Sequence, residues 1–207
     1  MPYKQTNTRC VVRLVALRGL SPVQRSQCQA LRQEAGRLWS DLVTLHTPAR
    51  TQGQWLSASE LEQATKGGQY ALHSQSVQAL CQKFAANVET ATALRKQELA
   101  EIGHIQTAYP HHPTAYQTVV WKDQALTILS DGQLRLPTGG QRSPLLLPLP
   151  EEYHQANLRR AELTWRADHY ELCFTLDTGE ALPSPKVDGE IAGVDLGEVH
   201  IAAVTTT

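Results

Sequence analysis

The chain has 207 residues, 41% of them apolar and 19% charged, with a formal net charge of −1. That length suits one large domain or two small ones. The near-neutral charge gives no global pull toward nucleic acid or anionic membrane. No apolar run approaches the ~20 residues that span a bilayer, and "MPYKQTNTRC" lacks a signal-peptide core. The expected location is therefore the cytoplasm, without membrane contact. Cys10, Cys28, Cys81 and Cys173 are scattered and form no CxxC pair. Reduced thiols are expected, with neither a zinc site nor a disulfide framework.

The first element, "TRCVVRLVAL" at 8–17, is rich in β-branched residues and predicts a strand with Arg9 and Arg13 on one face. In Ser21-Pro22-Val23-Gln24 the serine caps, the proline fits the first turn and the glutamine completes a capping box. Leu31, Ala35, Leu38, Leu42 and Leu45, widened by Trp39, predict one apolar helix face. "HTPARTQGQW" predicts a loop from its proline and glycine. Ser57-Ala58-Ser59-Glu60 is a second capping box, for a short helix that Gly67-Gly68 should end. A longer helix is expected over 74–101, with a stripe of Val77, Leu80, Phe84, Val88 and Ala91, then Leu94 and Leu99.

Composition changes after Gly103. "AYPHHPTAY" predicts a linker, and its two histidines have no third ligand at metal-binding spacing. "TVVW", "ALTIL" and "LRLP" predict short strands, whereas "SPLLLPLP" is too proline-rich for a central one. "AELTWR" and "HYELCFTL" predict a hairpin turning at Ala167-Asp168, and "GEALPSPKVDGE" a polar linker. A lone strand, a helical insertion and a run of strands predict a β-barrel interrupted by helices, the first strand pairing with strands far along the chain.

The last segment, "IAGVDLGEVHIAAVTTT", places Asp195 near the end of an apolar strand. A carboxylate there can emerge toward a ligand, and an aspartate that ends a strand and caps a turn is the plainer alternative. Gly197 permits the turn into a second, antiparallel strand. Such an aspartate suits Mg²⁺, which takes a few carboxylates plus phosphate oxygens and water.

"GVDLGEVHIAAV" resembles the first RuvC motif of the TnpB-type (OrfB) transposon-encoded RNA-guided nucleases and of the related type V CRISPR effectors. Upstream, "LHSQSVQALCQKFAANVETA" is similar to a recognition-lobe helix of that family. "DGQLRLP" and "AELTWRADHYELCFTL" are similar to the strands before its nuclease domain. The resemblance implies an α+β chain: a wedge-like antiparallel β-barrel interrupted by a recognition helical bundle, then the first strands of an RNase H-like (RuvC) domain. The expected divisions are 1–19 (first wedge strand), 20–104 (helical lobe), 105–180 (remaining wedge strands), 181–190 (linker) and 191–207 (start of the RuvC domain). The implied partners are guide RNA and target double-stranded DNA, and the implied cofactor is Mg²⁺, with Asp195 as catalytic residue and first metal ligand.

The family's later glutamate, second aspartate and zinc-ribbon cysteines are not in this sequence. The expectation is therefore the N-terminal part of an endonuclease, inactive alone and completed by a C-terminal nuclease segment or other subunits. A nuclease-derived, non-cutting RNA- or DNA-binding module fits as well, and an actin-like ATPase fragment is the third reading. Candidate nucleic-acid contacts are Arg9, Arg13, Arg25, Arg32, Arg95, Lys96, Arg159 and Arg160, since guanidinium forks suit phosphate. Trp121, with Trp165, is a candidate for base stacking, with core packing the alternative for both.

Overall fold

The computed structural model describes residues 8–140 and 142–182, together with the backbone of Ala192–Asp195 and Ala203–Thr206. The chain is α+β with antiparallel sheets. In order it forms β1 (Thr8–Leu17), α1 (Pro22–Thr51), α2 (Ala58–Ala64), α3 (Ser74–Ile102), β2 (Val119–Lys122), β3 (Thr127–Ile128), β4 (Gln133–Leu136), β5 (Leu145–Pro148), β6 (Asn157–Arg166), β7 (His169–Ala181), β8 (Ala192–Asp195) and β9 (Ala203–Thr206). Contacts divide it into two units, one spanning Cys10–Thr178 and one combining Met1–Arg9 with Gly179–Thr207. The linker expected at 181–190 lies largely outside the described residues.

Both capping boxes form. Ser21 Oγ accepts from Gln24 N while Gln24 Oε1 accepts from Ser21 N, and Ser57 and Glu60 repeat the exchange at α2. Gln24 also reaches out of α1, donating from Nε2 to Leu146 O at 2.7 Å. The apolar face of α1 buries Leu31, Ala35, Leu38, Trp39 and Leu42. Leu45, expected on that face, is instead exposed, and His46 takes the buried position. The helix also runs on through the expected loop at 46–51, with Pro48 inside it. Proline removes one intrahelical donor. Val43 and His46 are nonetheless buried in these last turns, with the His46 ring 5.5 Å from Phe84.

Helix α3 buries Leu80, Cys81, Phe84, Ala85, Val88 and Ala91. Leu94 and Leu99, expected to continue the stripe, are exposed because the packing ends one turn earlier. Trp39 meets Phe84 edge-on at 5.1 Å between centroids. Each such fully buried side chain contributes roughly 1.5–3 kcal/mol relative to exposure. Burial pushes the Cys28 thiol up to about 12, so it is a protonated packing residue.

One sheet has the order β1-β7-β6-β2 and a second the order β3-β4-β5. The first strand thus lies beside β7, far along the chain, with all three helices inserted between β1 and β2. Among the described residues no ladder closes the two sheets into a barrel. Proline-rich β5 is an edge strand, as its composition requires, although Leu145 and Leu147 are fully buried. β6 and β7 form the expected hairpin, with Arg166 opposite His169 and Ala167 at φ 47° in the turn. Within the unit Cys10–Thr178, α3 packs on β2 and α1 packs on β5, so helices and sheets share one core.

The segment before β2 is fastened along α1. Gln117 N donates to Arg32 O, and Ser40 Oγ accepts from Thr114 N at 3.1 Å. Gly36 makes this approach possible, because a Cβ there would lie 2.5 Å from Ala115 C. Among the described residues, no helix is long and apolar enough to cross a membrane.

Candidate nucleic-acid interface

Asp195 is the last residue of β8, which pairs antiparallel with β9 in a register that sets Asp195 opposite Ala203. The antiparallel pair of strands expected from the sequence is therefore present in the backbone. Gly197 and the Asp195 side chain lie outside the described residues. Among the described residues no three His, Cys, Asp or Glu side chains converge as a metal group. One strand-end carboxylate amounts to one ligand, and a two-metal site takes several. The described residues do not by themselves fit a Mg²⁺ pair, and no metal-dependent step follows from them.

The candidate cations lie on several elements, β1, α1, α3 and β6. On β6, Arg159 donates from Nε and Nη2 to Asp177 Oδ2 at 3.2 and 2.6 Å, and the carboxylate it covers is buried. Its neighbour Arg160 pairs with Glu162 at 2.6 Å. Arg9 pairs with Glu180 at 3.5 Å, and Arg13 donates to Val12 O. Arg25 and Lys96 are exposed, whereas Arg32 is half-buried with its guanidinium 5.4 Å from the Tyr116 ring centre. Burial lowers the Arg32 pKa from its ordinary value.

Trp121 is corrected by the structure. It is fully buried, and its indole N–H donates to Pro137 O at 2.8 Å. An enclosed ring whose donor is satisfied inside the core offers no face to a base. Trp165 keeps partial exposure and packs edge-on against Tyr170. His169 is held by Asp168 at 2.7 Å, and His104 by local contacts to Ile102 O and Gln106.

Sequence reasoning missed a cluster at the C-terminal end of α1. The guanidiniums of Arg50 and Arg95 each lie 4.8 Å from the ring centre of Tyr109. Trp55 adds a second ring, 5.3 Å from Tyr109 and half exposed. Arg95 Nη1 donates to Thr107 O at 2.6 Å. Glu98 accepts from Gln106 N, Thr107 N and Thr107 Oγ1. Those bonds, the hydroxyl's first, hold its carboxyl below the usual range. The connection after α3 is thereby clamped so that Tyr109 faces both arginines. The available signal was an aromatic residue in a polar linker; the early end assigned to α1 concealed Arg50.

A further stack ties a loop to α1. Arg37 lies 4.4 Å from the Tyr70 ring centre and bonds Gln69 O and Glu34, while Tyr70 donates to Asp41 Oδ2 at 2.8 Å. Arg37, like Arg159, is spent inside the protein.

No protein-family model matches the chain, and no curated protein matches it either.

Proposed function

We propose that this chain is the wedge and recognition part of an RNA-guided DNA endonuclease of the TnpB type, binding a structured guide RNA and its DNA target. The observation that carries the reading is the placement of β1 beside β7 with the helices inserted between β1 and β2, followed in the chain by the β8–β9 hairpin. This is the order of parts that the sequence resemblance implies. In this reading the two open sheets are the wedge barrel, the helices are the recognition bundle, and β8–β9 opens the RuvC domain. Asp195 is one Mg²⁺ ligand there, with the other carboxylates supplied from outside this chain.

The test has two arms. A structured RNA should bind the 207-residue chain with an affinity that falls steeply with salt, because phosphate contacts release counterions. Salt-insensitive binding, or none above a similarly charged control protein, sinks the reading. In a cleavage-competent nuclease carrying this chain, Asp195→Ala should abolish cutting of guide-matched DNA while RNA and DNA binding persist. A metal ligand acts on the transition state, whereas the grip on nucleic acid lies elsewhere. Wild-type cutting by that variant makes Asp195 a turn residue.

A further inference from the structure

The Tyr109 cluster has features that packing alone does not explain. Two guanidiniums each lie 4.8 Å from the centre of one ring, and the repulsion between like charges is relieved when an anion joins them. Among the described residues neither Arg50 nor Arg95 takes part in an ion pair. The acidic group nearest in sequence on α3, Glu98, feels the Arg95 charge, but its oxygens accept from Gln106 N, Thr107 N and Thr107 Oγ1. Among the described residues Arg50 Nε is shielded from solvent and finds no hydrogen-bond partner, an arrangement that costs free energy. Beside this charge stands Trp55, 50% exposed although tryptophan is usually well buried. It leans on the His46 and Tyr109 rings, at 6.0 and 5.3 Å, so its orientation is set by packing.

We infer that Trp55, Tyr109, Arg50 and Arg95 form a subsite for one nucleotide of a single-stranded nucleic acid, with the base on Trp55 and the backbone phosphate on the two guanidiniums. An arginine pair with no ion-pair partner among the described residues favours an oxyanion, and the planar forks suit phosphate. An exposed indole next to it calls for a flat ring, since base–aromatic stacking is favourable for every base. A nucleotide is both anionic and flat. The strand is unpaired at this point because the faces of a base inside a duplex are already stacked. That the ligand is a nucleic-acid strand rests on the function proposed above; the place of the subsite rests on the cluster.

The experiment measures anisotropy of labelled short strands with the 207-residue chain. The probes are an oligouridylate, an oligodeoxyuridylate, an abasic strand of equal charge and a polyglutamate of equal charge. At least one base-bearing strand should bind, and tighter binding of either one names the sugar and supports the subsite. Trp55→Ala should weaken that binding about tenfold while leaving its salt dependence unchanged, and Trp55→Phe should restore most of it. Arg50→Gln should instead reduce the slope of log affinity against log salt by about 0.7, the share of one phosphate contact on a single strand. Equal binding of the abasic strand or polyglutamate overturns the inference, as does wild-type affinity in Trp55→Ala. If a structured RNA binds but no short strand does, the subsite fails and the broader function stands. If neither binds, both fail.

Discussion

Gly36 and Ala115 meet backbone to backbone: a Cβ on Gly36 would lie 2.5 Å from the Ala115 carbonyl carbon and equally close to its oxygen. This contact lets the strand leading into β2 run along α1. Glycine inside a helix costs up to about 1 kcal/mol against alanine, so propensity alone favours Gly36→Ala. The clash is with main-chain atoms that cannot rotate away, and overpacking of that kind costs roughly 1–3 kcal/mol. The clash should win. Gly36→Ala is expected to lower the urea midpoint, whereas Gly19→Ala, with nothing near its Cβ, should leave it unchanged.

Arg159 carries a charge already engaged by Asp177, whose side chain is 4% exposed. Removing the arginine leaves a buried carboxylate short of its charged donor. Arg159→Ala should therefore destabilise the fold by about 1–2 kcal/mol, discounted because the guanidinium itself is partly exposed. It should leave the salt dependence of RNA binding unchanged. A reduced salt slope without a stability loss would return Arg159 to the nucleic-acid surface.

Ala167 has φ 47° in the two-residue turn between β6 and β7. Left-handed backbone costs a non-glycine residue roughly 1–2 kcal/mol, and such hairpin turns favour glycine or asparagine. Ala167→Gly should raise thermal stability by up to about 1 kcal/mol, part of the gain being lost to the freer unfolded chain. A lowered melting temperature would show the turn to be held by something other than its own geometry.

His46 has no exposed surface, and neither ring nitrogen has a hydrogen-bond partner among the described residues. Burial, and next the charge of Arg50, lowers its pKa from 6.5. The unfolded chain therefore binds the proton more readily than the folded one. Stability is full above the ordinary histidine range and falls as pH drops below about 6.5, until the folded imidazole also protonates. His46→Leu should flatten that part of the acid limb in urea titrations at stepped pH. An unchanged acid limb would place the sensitivity elsewhere, His73 being the next candidate because burial lowers its pKa as well.

What the sequence determined by itself was what lies within a few residues. Ser21 with Gln24 and Ser57 with Glu60 are exchanges between residues three apart, so both helix starts were legible. β-Branched content marked β1, and two apolar runs around Ala167-Asp168 marked the β6–β7 hairpin. Asp195 was legible as a strand-end carboxylate for the same reason, but what surrounds it depends on parts of the molecule distant in sequence. Tertiary structure alone decided the rest. It carried α1 past Pro48, with Val43 and His46 buried just before the proline. It enclosed Trp121 and set Arg159 against Asp177, eighteen residues away on the neighbouring strand. It also brought Arg50, Trp55, Arg95 and Tyr109 together from α1, α3 and two loops. No local pattern encodes such a meeting: which groups stand beside a charge is settled by what the packed core brings to it from distant parts of the chain.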